Sequence, residues 1–342
     1  MRSSLRKPLL ATVASLLVAV LIAEFLVRAS VGAPLAERLP ILRILPHPTR
    51  GFRMVPNEDH YTYLHRVRVN SRGLRGPEVG PKRPDTVRIL ALGDSLTYGQ
   101  GVADDETLPA YLEAFLNESS LHRGKAGRRF EVINAGHRSY DTRQEVALLQ
   151  EFAREFEPDH VILFWFRDDL SPRDIEGNFR RISALPTPVA FDTGTRVEGW
   201  EALRWRLREL ARRSALVMFV HDSLNRTPSR PLMDEIRTNQ LARLDNELDL
   251  VQELGERIGF QSWFVPIPHR MSVREPELAM PLQDGALERA RAKGLETCDL
   301  LPGLVQLYRE TGRLPVLVYD GHYNADGNRI MAEVMAQALT AK

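Results

Sequence analysis

Residues 86–99 read TVRILALGDSLTYG. Residues 86–92 are mostly β-branched or apolar, which is typical of a strand buried on both faces. Glycines at positions 93 and 99 flank Ser95 and permit a tight strand-to-helix turn that exposes its hydroxyl. Reactive residues of open α/β sheets lie just beyond the carboxyl ends of strands, so Ser95 is a candidate nucleophile. A turn with a capping serine is the competing interpretation, because so short a motif is weak by itself.

Strands and helices alternate along the rest of the chain. Short apolar runs predict three further strands, and apolar residues at helical spacing predict the intervening helices. Thr107 is a plausible N-cap for the first of these helices. This alternation predicts a parallel sheet covered on both faces. The predicted strands are 130–134, 160–166 and 260–267. The first predicted helix begins near Leu108, and the others cover 143–156, 241–258, 300–311 and 329–339.

Composition excludes several classes of protein. The chain has 342 residues, of which 43% are hydrophobic and 27% charged, as in an ordinary globular protein. Its formal net charge of +1 gives no electrostatic case for nucleic-acid binding. The single cysteine, Cys298, excludes an internal disulfide framework and a multi-cysteine zinc site. His137 and His160 lack metal-ligand spacing, so we predict neither a metal nor a cofactor, and we expect His269 to serve a loop or packing role.

The N-terminus carries an apolar run at Leu9–Val27, interrupted only by Glu24. As a helix it would be about 28 Å long, close to the hydrocarbon thickness of a bilayer. The basic residues that precede it predict a cytoplasmic N-terminus and a body outside the cytoplasm. We interpret the run as a signal anchor. A cleaved signal peptide, with a poor site at 29–33, and a buried soluble helix are the alternatives. The basic residues are Arg2, Arg6 and Lys7.

Four regions follow from these patterns. We expect a basic cytoplasmic tail at 1–7, a transmembrane signal anchor at 8–27 and a membrane-proximal connector at 28–83 that packs on the domain. The domain covers 84–342, with an insertion at about 171–240 that contains a helix near 200–213. Within the connector, Val69–Gly76 has the asparagine, serine and glycine residues of a turn.

A second reactive motif lies near the C-terminus, in the sequence Asp320-Gly321-His322. An imidazole is a competent base near neutral pH and needs a neighbour to hold its tautomer. The carboxylate of Asp320 can fold onto Nδ1 of His322 while Nε2 faces a serine. An Asx-turn that caps the last helix is the alternative interpretation. With Ser95 the pair forms a triad in the chain order Ser, Asp, His.

Five sequence blocks, taken together and in order, resemble the GDSL-type or SGNH hydrolase superfamily, in its membrane-anchored bacterial branch. The resemblance implies an α/β fold, a flavodoxin-like three-layer sandwich with a central, mostly parallel sheet, preceded by a transmembrane helix. It covers about residues 70–340 except 171–240. The blocks are the turn Asn70-Ser71…Gly73…Arg75-Gly76; Gly93–Gly99; Asn134-Ala135-Gly136…Tyr140; Pro158–Val161 with Phe164 and Asp168-Asp169; and Asp320-Gly321-His322…Asn324…Gly327.

The resemblance also implies roles for individual residues. Ser95 is the nucleophile, His322 the general base and Asp320 the acid that orients it. The family's oxyanion hole uses the backbone N–H of the serine, a glycine N–H and an asparagine side chain. These positions fall on Ser95, Ser139 and Asp168.

Two of these positions depart from the family pattern. Ser139 replaces a glycine, and its amide survives if the local φ suits a side chain. Gly136 is the alternative donor. Asp168 replaces the asparagine, and an ionised carboxylate cannot donate a hydrogen bond. Three outcomes are left open. Asp168 is held protonated in a dry pocket, Arg167 supplies the positive charge instead, or the site is weakened. Charged residues that simply end a strand are the plain alternative. One residue separates acid and histidine, where the commoner family form has two.

We expect an extracytoplasmic serine esterase, or acylhydrolase, tethered to the membrane, that acts on an ester of a cell-envelope glycan or lipid through an acyl-enzyme. An O-acyltransferase that uses the same triad on a polysaccharide is one alternative. A non-catalytic glycan-binding envelope protein, suggested by Ser139 and Asp168, is another. The expected partners are an ester-bearing small molecule, glycan or lipid and the membrane, with no nucleic acid. The sequence does not indicate an oligomeric state.

Overall fold

The computed structural model describes residues 6–122, 128–170, 173–191, 207, 210–224, 241–277 and 281–341. It divides into two compact units. The first comprises Met1–Ala36, Thr195–Pro228 and Val318–Asp320. The second comprises Glu37–Gly194, Ser229–Leu317 and Gly321–Lys342. Half of the insertion predicted at 171–240, including most of the helix predicted near 200–213, lies outside the described residues.

The described strands are β1 (Arg43–His47), β2 (Gly51–Met54), β3 (His60–Thr62), β4 (His65–Val67), β5 (Thr86–Gly93), β6 (Arg129–Gly136), β7 (His160–Trp165), β8 (Val189–Ala190), β9 (Gln261–Pro266) and β10 (Glu296–Thr297). The described helices are α1 (Arg6–Ser30), α2 (Ser95–Tyr98), α3 (Leu108–His122), α4 (Thr142–Phe156), α5 (Ile175–Ser183), α6 (Ala215–Leu224), α7 (Leu241–Ile258), α8 (Arg270–Arg274), α9 (Pro281–Ala292), α10 (Leu301–Thr311) and α11 (Ala325–Thr340).

The central sheet of the second unit has five strands in the spatial order β6-β5-β7-β9-β10, and each neighbouring pair is parallel. Numbered along the chain within this sheet, the order is 2-1-3-4-5, which is the flavodoxin-like order. The strand order reverses at β5, so the crevice where such folds bind ligands lies at its carboxyl end. Ser95 follows β5 directly. The predicted fold class is therefore confirmed.

Apolar side chains leave the sheet on both faces. Leu90 and Leu92 on β5 join one core cluster, which α4, α7 and α9 cover. Ile89 and Ala91, the alternate residues of the same strand, join a second cluster beneath α3, α10 and α11. Side chains of successive strand residues point to opposite faces, so a run that is apolar throughout requires a layer of helices on each side. The result is a three-layer sandwich.

The segment between α1 and β5 contains short strands that its sequence pattern did not predict. β1 pairs antiparallel with β2 and with β8, while β3 and β4 form a hairpin. Leu42, Phe52 and Met54 from this segment are buried in the same core cluster as Leu90. Strands of three to five residues carry too little alternation to be distinguished from loops.

Two local expectations have clear outcomes. The turn predicted at Val69–Gly76 is confirmed, because Asn70 Oδ1 accepts hydrogen bonds from the amides of Arg72 and Leu74, both at 3.0 Å. The expected start of the last helix near Arg329 is wrong, since α11 begins at Ala325. The side chain of Asn324 caps it by accepting from Gly327 N at 3.1 Å, which adds one helical turn before the apolar residues begin.

The first unit contains α1 and α6. Within α1, residues Leu10–Ser30 are long and apolar enough to cross a membrane, by length and composition. Their large apolar side chains are mostly exposed, for example Leu16 and Leu17 at 60% each.

Candidate active site

Two glycines shape the turn that carries Ser95. Gly93 ends β5 at φ +154°, and a Cβ there would lie 2.1 Å from Thr97 Oγ1. Gly136, at the end of the neighbouring strand β6, lies directly against α2, where a Cβ would come within 2.2 Å of Tyr98 N. Only residues without a side chain allow this close approach between strand ends and helix, which explains the spacing of glycines around the serine.

Asp94 caps the short helix that begins at Ser95. Its Oδ1 accepts from Leu96 N at 2.8 Å, and the side chain is buried. The cap is therefore the aspartate, not the serine, and the Ser95 hydroxyl is left for other partners. His137 N donates to Gly93 O at 3.0 Å and ties the strand end to the loop after β6.

A loop between α10 and α11 presents His322. Leu317 N donates to His322 O at 2.9 Å, and Val316 pairs with Tyr323 in an antiparallel bridge. Tyr323 is buried and its hydroxyl donates to Pro268 O at 2.6 Å, beyond the end of β9. The Asx-type cap of the last helix is supplied by Asn324, so His322 is not used as a cap.

The structure brings Ser95 and His322 together although 227 positions separate them in the chain. His322 Nε2 lies 2.7 Å from Ser95 Oγ, within hydrogen-bond distance, and both side chains are half-buried. This is the spacing that an imidazole needs to take the proton of a hydroxyl nucleophile. Asp320 is also half-buried and lies two residues before His322, and its role as the orienting acid stays a prediction.

The candidate oxyanion donors differ in the hydrogen bonds that their amides make. Among the described residues, the amides of Ser95 and Ser139 donate no hydrogen bond to the protein. Ser139 is exposed and has φ +60°, a left-handed conformation that favours glycine. The Gly136 amide instead donates to Asn134 Oδ1 at 3.0 Å, so the geometry favours Ser139 over this alternative.

A short turn at residues 167–170 follows β7 and contains Asp168. Its neighbour Asp169 is buried and accepts from Phe166 N at 2.6 Å, which closes the turn. One of the two adjacent aspartates therefore has a structural role. The Asp168 side chain lies outside the described residues, and its part in an oxyanion hole stays a prediction.

Arg75, from the turn before the central sheet, clamps the far end of α2. Its Nη1 donates to Tyr98 O at 3.0 Å and to Gly99 O at 2.7 Å, and its Nη2 donates to Val102 O at 2.8 Å. The guanidinium is 1% exposed and pairs with Asp104 at 2.9 Å. The sequence identifies Arg75 as part of a motif but assigns it no role, because its partners lie more than twenty residues away.

Two histidines near the turn that carries Ser95 are buried. Burial, aided by the charges of Arg75 and Arg138, lowers the pKa of His60 to about 4, and its Nε2 lies 2.6 Å from the Tyr98 hydroxyl. Burial likewise lowers the pKa of His137 to about 3, and its ring stacks on Tyr140. Both imidazoles are therefore neutral at pH 7.

The pKa of Glu145 is shifted in the opposite direction. Burial raises the pKa of this carboxyl well above its usual range, and the negative charges of Asp94 and Asp141 raise it further. Neither of its oxygens has a hydrogen-bond partner among the residues that the structure describes. A carboxyl with a raised pKa thus interacts with the Asp94 cap of the serine helix, where no sequence pattern marks it.

The remaining candidates have structural roles. His269 Nδ1 accepts from Met271 N at 3.3 Å as the N-cap of α8, and its ring stacks on Phe166, in line with the expected loop or packing role. Cys298 is buried. The described residues contain no group of three or more His, Cys, Asp or Glu side chains placed to hold a metal ion.

Comparison with known proteins gives structural matches only. No family model matches the chain, and no curated protein matches it. A lipase/acylhydrolase from Enterococcus faecalis is similar, with 17% identity over 75% of this chain and 96% of its own and a TM-score of 0.42. A lipolytic protein of the G-D-S-L family from Veillonella parvula is 12% identical over 75% of this chain and 100% of its own, with a TM-score of 0.43. An esterase from Pseudoalteromonas sp. is 11% identical over 74% of this chain and 97% of its own, with a TM-score of 0.40.

Proposed function

We propose that this protein is a serine esterase, or acylhydrolase, in which Ser95 is the nucleophile. The observation that carries the proposal is the 2.7 Å separation of Ser95 Oγ and His322 Nε2 at the carboxyl end of β5. A serine hydroxyl is a weak nucleophile unless an adjacent base takes its proton. Open α/β sheets bind their ligands beyond the carboxyl ends of the strands at the topological switch point, and Ser95 lies there, just after β5.

The reaction has two halves. His322 Nε2 takes the proton of Ser95 Oγ as the oxygen attacks the ester carbonyl, and the amides of Ser95 and Ser139 donate to the resulting oxyanion. The tetrahedral intermediate collapses, the C–O bond to the alcohol breaks, and the imidazolium returns its proton to that alcohol. Water then attacks the acyl-enzyme with His322 again as base, which releases the acid and restores the serine. Asp320 is the proposed orienting acid.

We place the active domain outside the cytoplasm. The support is the membrane-compatible length of α1, together with the basic residues before it. The proposed regions are the tail at 1–7, the anchor at 8–27, the connector at 28–83 and the hydrolase-like domain at 84–342. A tethered extracytoplasmic esterase would meet acyl groups on glycans or lipids of the cell envelope, which is the substrate class we propose.

The test compares full-length wild type in detergent with Ser95→Ala on short-chain p-nitrophenyl esters. We expect Ser95→Ala and His322→Ala each to lose about 10³-fold or more in kcat, and the double variant to be no slower, because the two groups act as a unit. Ser71→Ala, at a half-buried serine whose hydroxyl donates to Glu78, is the matched control and should keep full activity. Equal rates for wild type and Ser95→Ala would reject the proposal.

The competing functions are separated by two further measurements. An O-acyltransferase forms the same acyl-enzyme and then passes the acyl group to a sugar hydroxyl, so mass spectrometry of an offered oligosaccharide would show added acyl groups. A non-catalytic glycan-binding protein would leave Ser95 unlabelled by a fluorophosphonate probe. Stoichiometric labelling at Ser95 would exclude that alternative.

A further inference from the structure

Glu24, a charged residue within the apolar helix α1, accepts three hydrogen bonds from the start of another helix. Its Oε2 accepts from Ser214 Oγ at 2.7 Å and from Leu216 N at 2.8 Å, and its Oε1 accepts from Ala215 N at 2.9 Å. Arg28, one turn further along α1, pairs with the same carboxylate at 2.6 Å. Its Nη2 also donates to Arg213 O at 2.7 Å.

These contacts satisfy the N-terminal amides of α6 without solvent. Ala215 and Leu216 donate to Glu24, Val217 N donates to Ser214 Oγ at 3.2 Å, and Met218 N donates to Ser214 O at 3.0 Å. In water, a helix end can leave its first amides to solvent. In a bilayer, every backbone polar group needs a partner within the protein. The start of α6 meets that stricter requirement.

The outward side of α6 is mostly apolar, with the exposed His221 as its polar member. Val217, Val220 and Leu224 are 46%, 46% and 76% exposed, and their spacing of three and four residues places them on one helical face. Leu207 and Leu210, just before the helix, are also largely exposed. Exposed arginines lie beside the start of the helix, where lipid phosphates would meet them. They are Arg28, Arg212 and Arg213.

We propose that α6 is a second lipid-binding element, held beside α1 by Glu24 and inserted into the outer interfacial layer of the bilayer. The inference rests on the proposed membrane anchor. Glu24 joins the start of α6 to α1 about 9 Å from the end of α1 at Ser30, so the exposed apolar side chains of α6 belong with the outer end of the membrane-compatible run. A monomer in water would leave this apolar face uncovered, whereas acyl chains cover it.

The experiment places a polarity-sensitive fluorophore at single introduced cysteines of the full chain in phosphatidylcholine–phosphatidylglycerol vesicles. The sites are Leu17→Cys on α1, Val220→Cys on α6 and Glu310→Cys on the exposed side of α10. Cys298 does not compete for label, because burial raises the pKa of its thiol to about 11. Brominated lipids then quench fluorophores that contact acyl chains, and iodide quenches those in water.

We expect Leu17→Cys and Val220→Cys both to shift to the blue and to lose most of their fluorescence to brominated lipid, while Glu310→Cys responds only to iodide. If Leu17→Cys is quenched by lipid and Val220→Cys behaves like Glu310→Cys, the anchor stands and the inference about α6 is wrong. Val220→Cys protected from both quenchers would mean that protein covers the face, which also overturns it. If none of the sites meets lipid, the anchor itself fails.

A second variant tests the clamp. Glu24→Gln keeps the size of the side chain but replaces one of the two acceptor oxygens by a donor. We expect lipid quenching at Val220→Cys to fall in this background and that at Leu17→Cys to stay unchanged. Unchanged quenching at both sites would show that Glu24 does not hold α6 in the membrane.

Discussion

The turn that carries Ser95 and the loop that carries His322 are held in different ways. The serine turn is fixed by buried polar groups: the Asp94 cap, the Arg75 clamp and the amide of His137. The histidine loop is half-buried and is held by backbone pairing to Leu317 and by the hydroxyl of Tyr323. We infer that the nucleophile is the fixed partner and that the base adjusts to it. Damage to the first region should therefore cost stability, and damage to the second mainly activity.

The largest effect is expected at Arg75. Arg75→Met removes a buried cation and the hydrogen bonds that it donates to three carbonyls and to Asp104, so we expect a loss of about 3–5 kcal/mol in the free energy of unfolding, measured by urea titration. The control is Arg66→Met, which breaks an exposed ion pair with Asp59 and should cost less than about 1 kcal/mol. Similar losses in both variants would show that the serine turn does not depend on the clamp.

The next largest effect is the loss of stability at low pH that His137 causes. The pKa of His137 is about 3 in the folded protein, below its ordinary value of 6.5, so the unfolded chain takes up the proton first as the pH falls. Stability is then lost below pH 6.5 by about 1.4 kcal/mol per pH unit for this histidine, until the folded pKa is reached. His137→Phe, which can keep the ring stacked on Tyr140, should reduce the loss between pH 7 and pH 5 by about 2 kcal/mol.

The measurement is the free energy of unfolding of wild type and variant at both pH values. Glu145 acts in the opposite direction, because its raised pKa makes the protein lose stability as the pH rises above 4.5. Comparison of the two proteins at the same pH cancels this contribution. His60→Phe should reproduce the effect of His137→Phe, and an unchanged pH dependence in both would contradict the assignment of neutral, buried imidazoles.

A smaller effect sharpens the comparison from the histidine side. Tyr323→Phe removes the hydrogen bond to Pro268 O and should cost about 1 kcal/mol in stability. We expect kcat to fall while KM stays the same, because the loop that positions His322 loses its side-chain tether. Tyr308→Phe, on the partly exposed surface of α10, is the control. Full activity of Tyr323→Phe would show that the backbone pairing alone positions the base.

The smallest effect is expected at Ser139. Ser139→Gly relieves a left-handed conformation worth about 1 kcal/mol, and the greater freedom of glycine in the unfolded chain offsets most of that gain. Because the proposed role uses the backbone amide, Ser139→Gly and Ser139→Ala should both keep esterase rates within about twofold of wild type. A loss of tenfold or more in both would assign the role to the hydroxyl instead.

Apolar periodicity predicted the central sheet and its covering helices because each strand and helix there is long and buried. The same patterns predicted no strands between α1 and β5, where each is five residues or fewer. They also placed the start of α11 four residues late, because Asn324 starts that helix with a polar cap and not with an apolar residue.

The candidate site could likewise be predicted only in part. Ser95 and His322 could be singled out because their motifs are local and their chemistry limits which residues serve. Arg75 and Glu145 could not be assigned functions, because both act through groups brought near only by folding. The Arg75 guanidinium binds carbonyls beyond the serine, and burial together with the charges of Asp94 and Asp141 raises the pKa of the Glu145 carboxyl.

The position of Arg75 in the chain has a practical consequence for making a soluble version of the protein. A fragment that begins at Thr86, in the first strand of the central sheet along the chain, would contain every proposed catalytic residue. It would still lack Arg75, whose guanidinium binds the carbonyls at the end of the helix that begins at Ser95. It would also lose Leu42, Phe52 and Met54 from the main core. The shortest useful fragment therefore starts upstream of Leu42, in sequence that carries no recognisable enzyme motif.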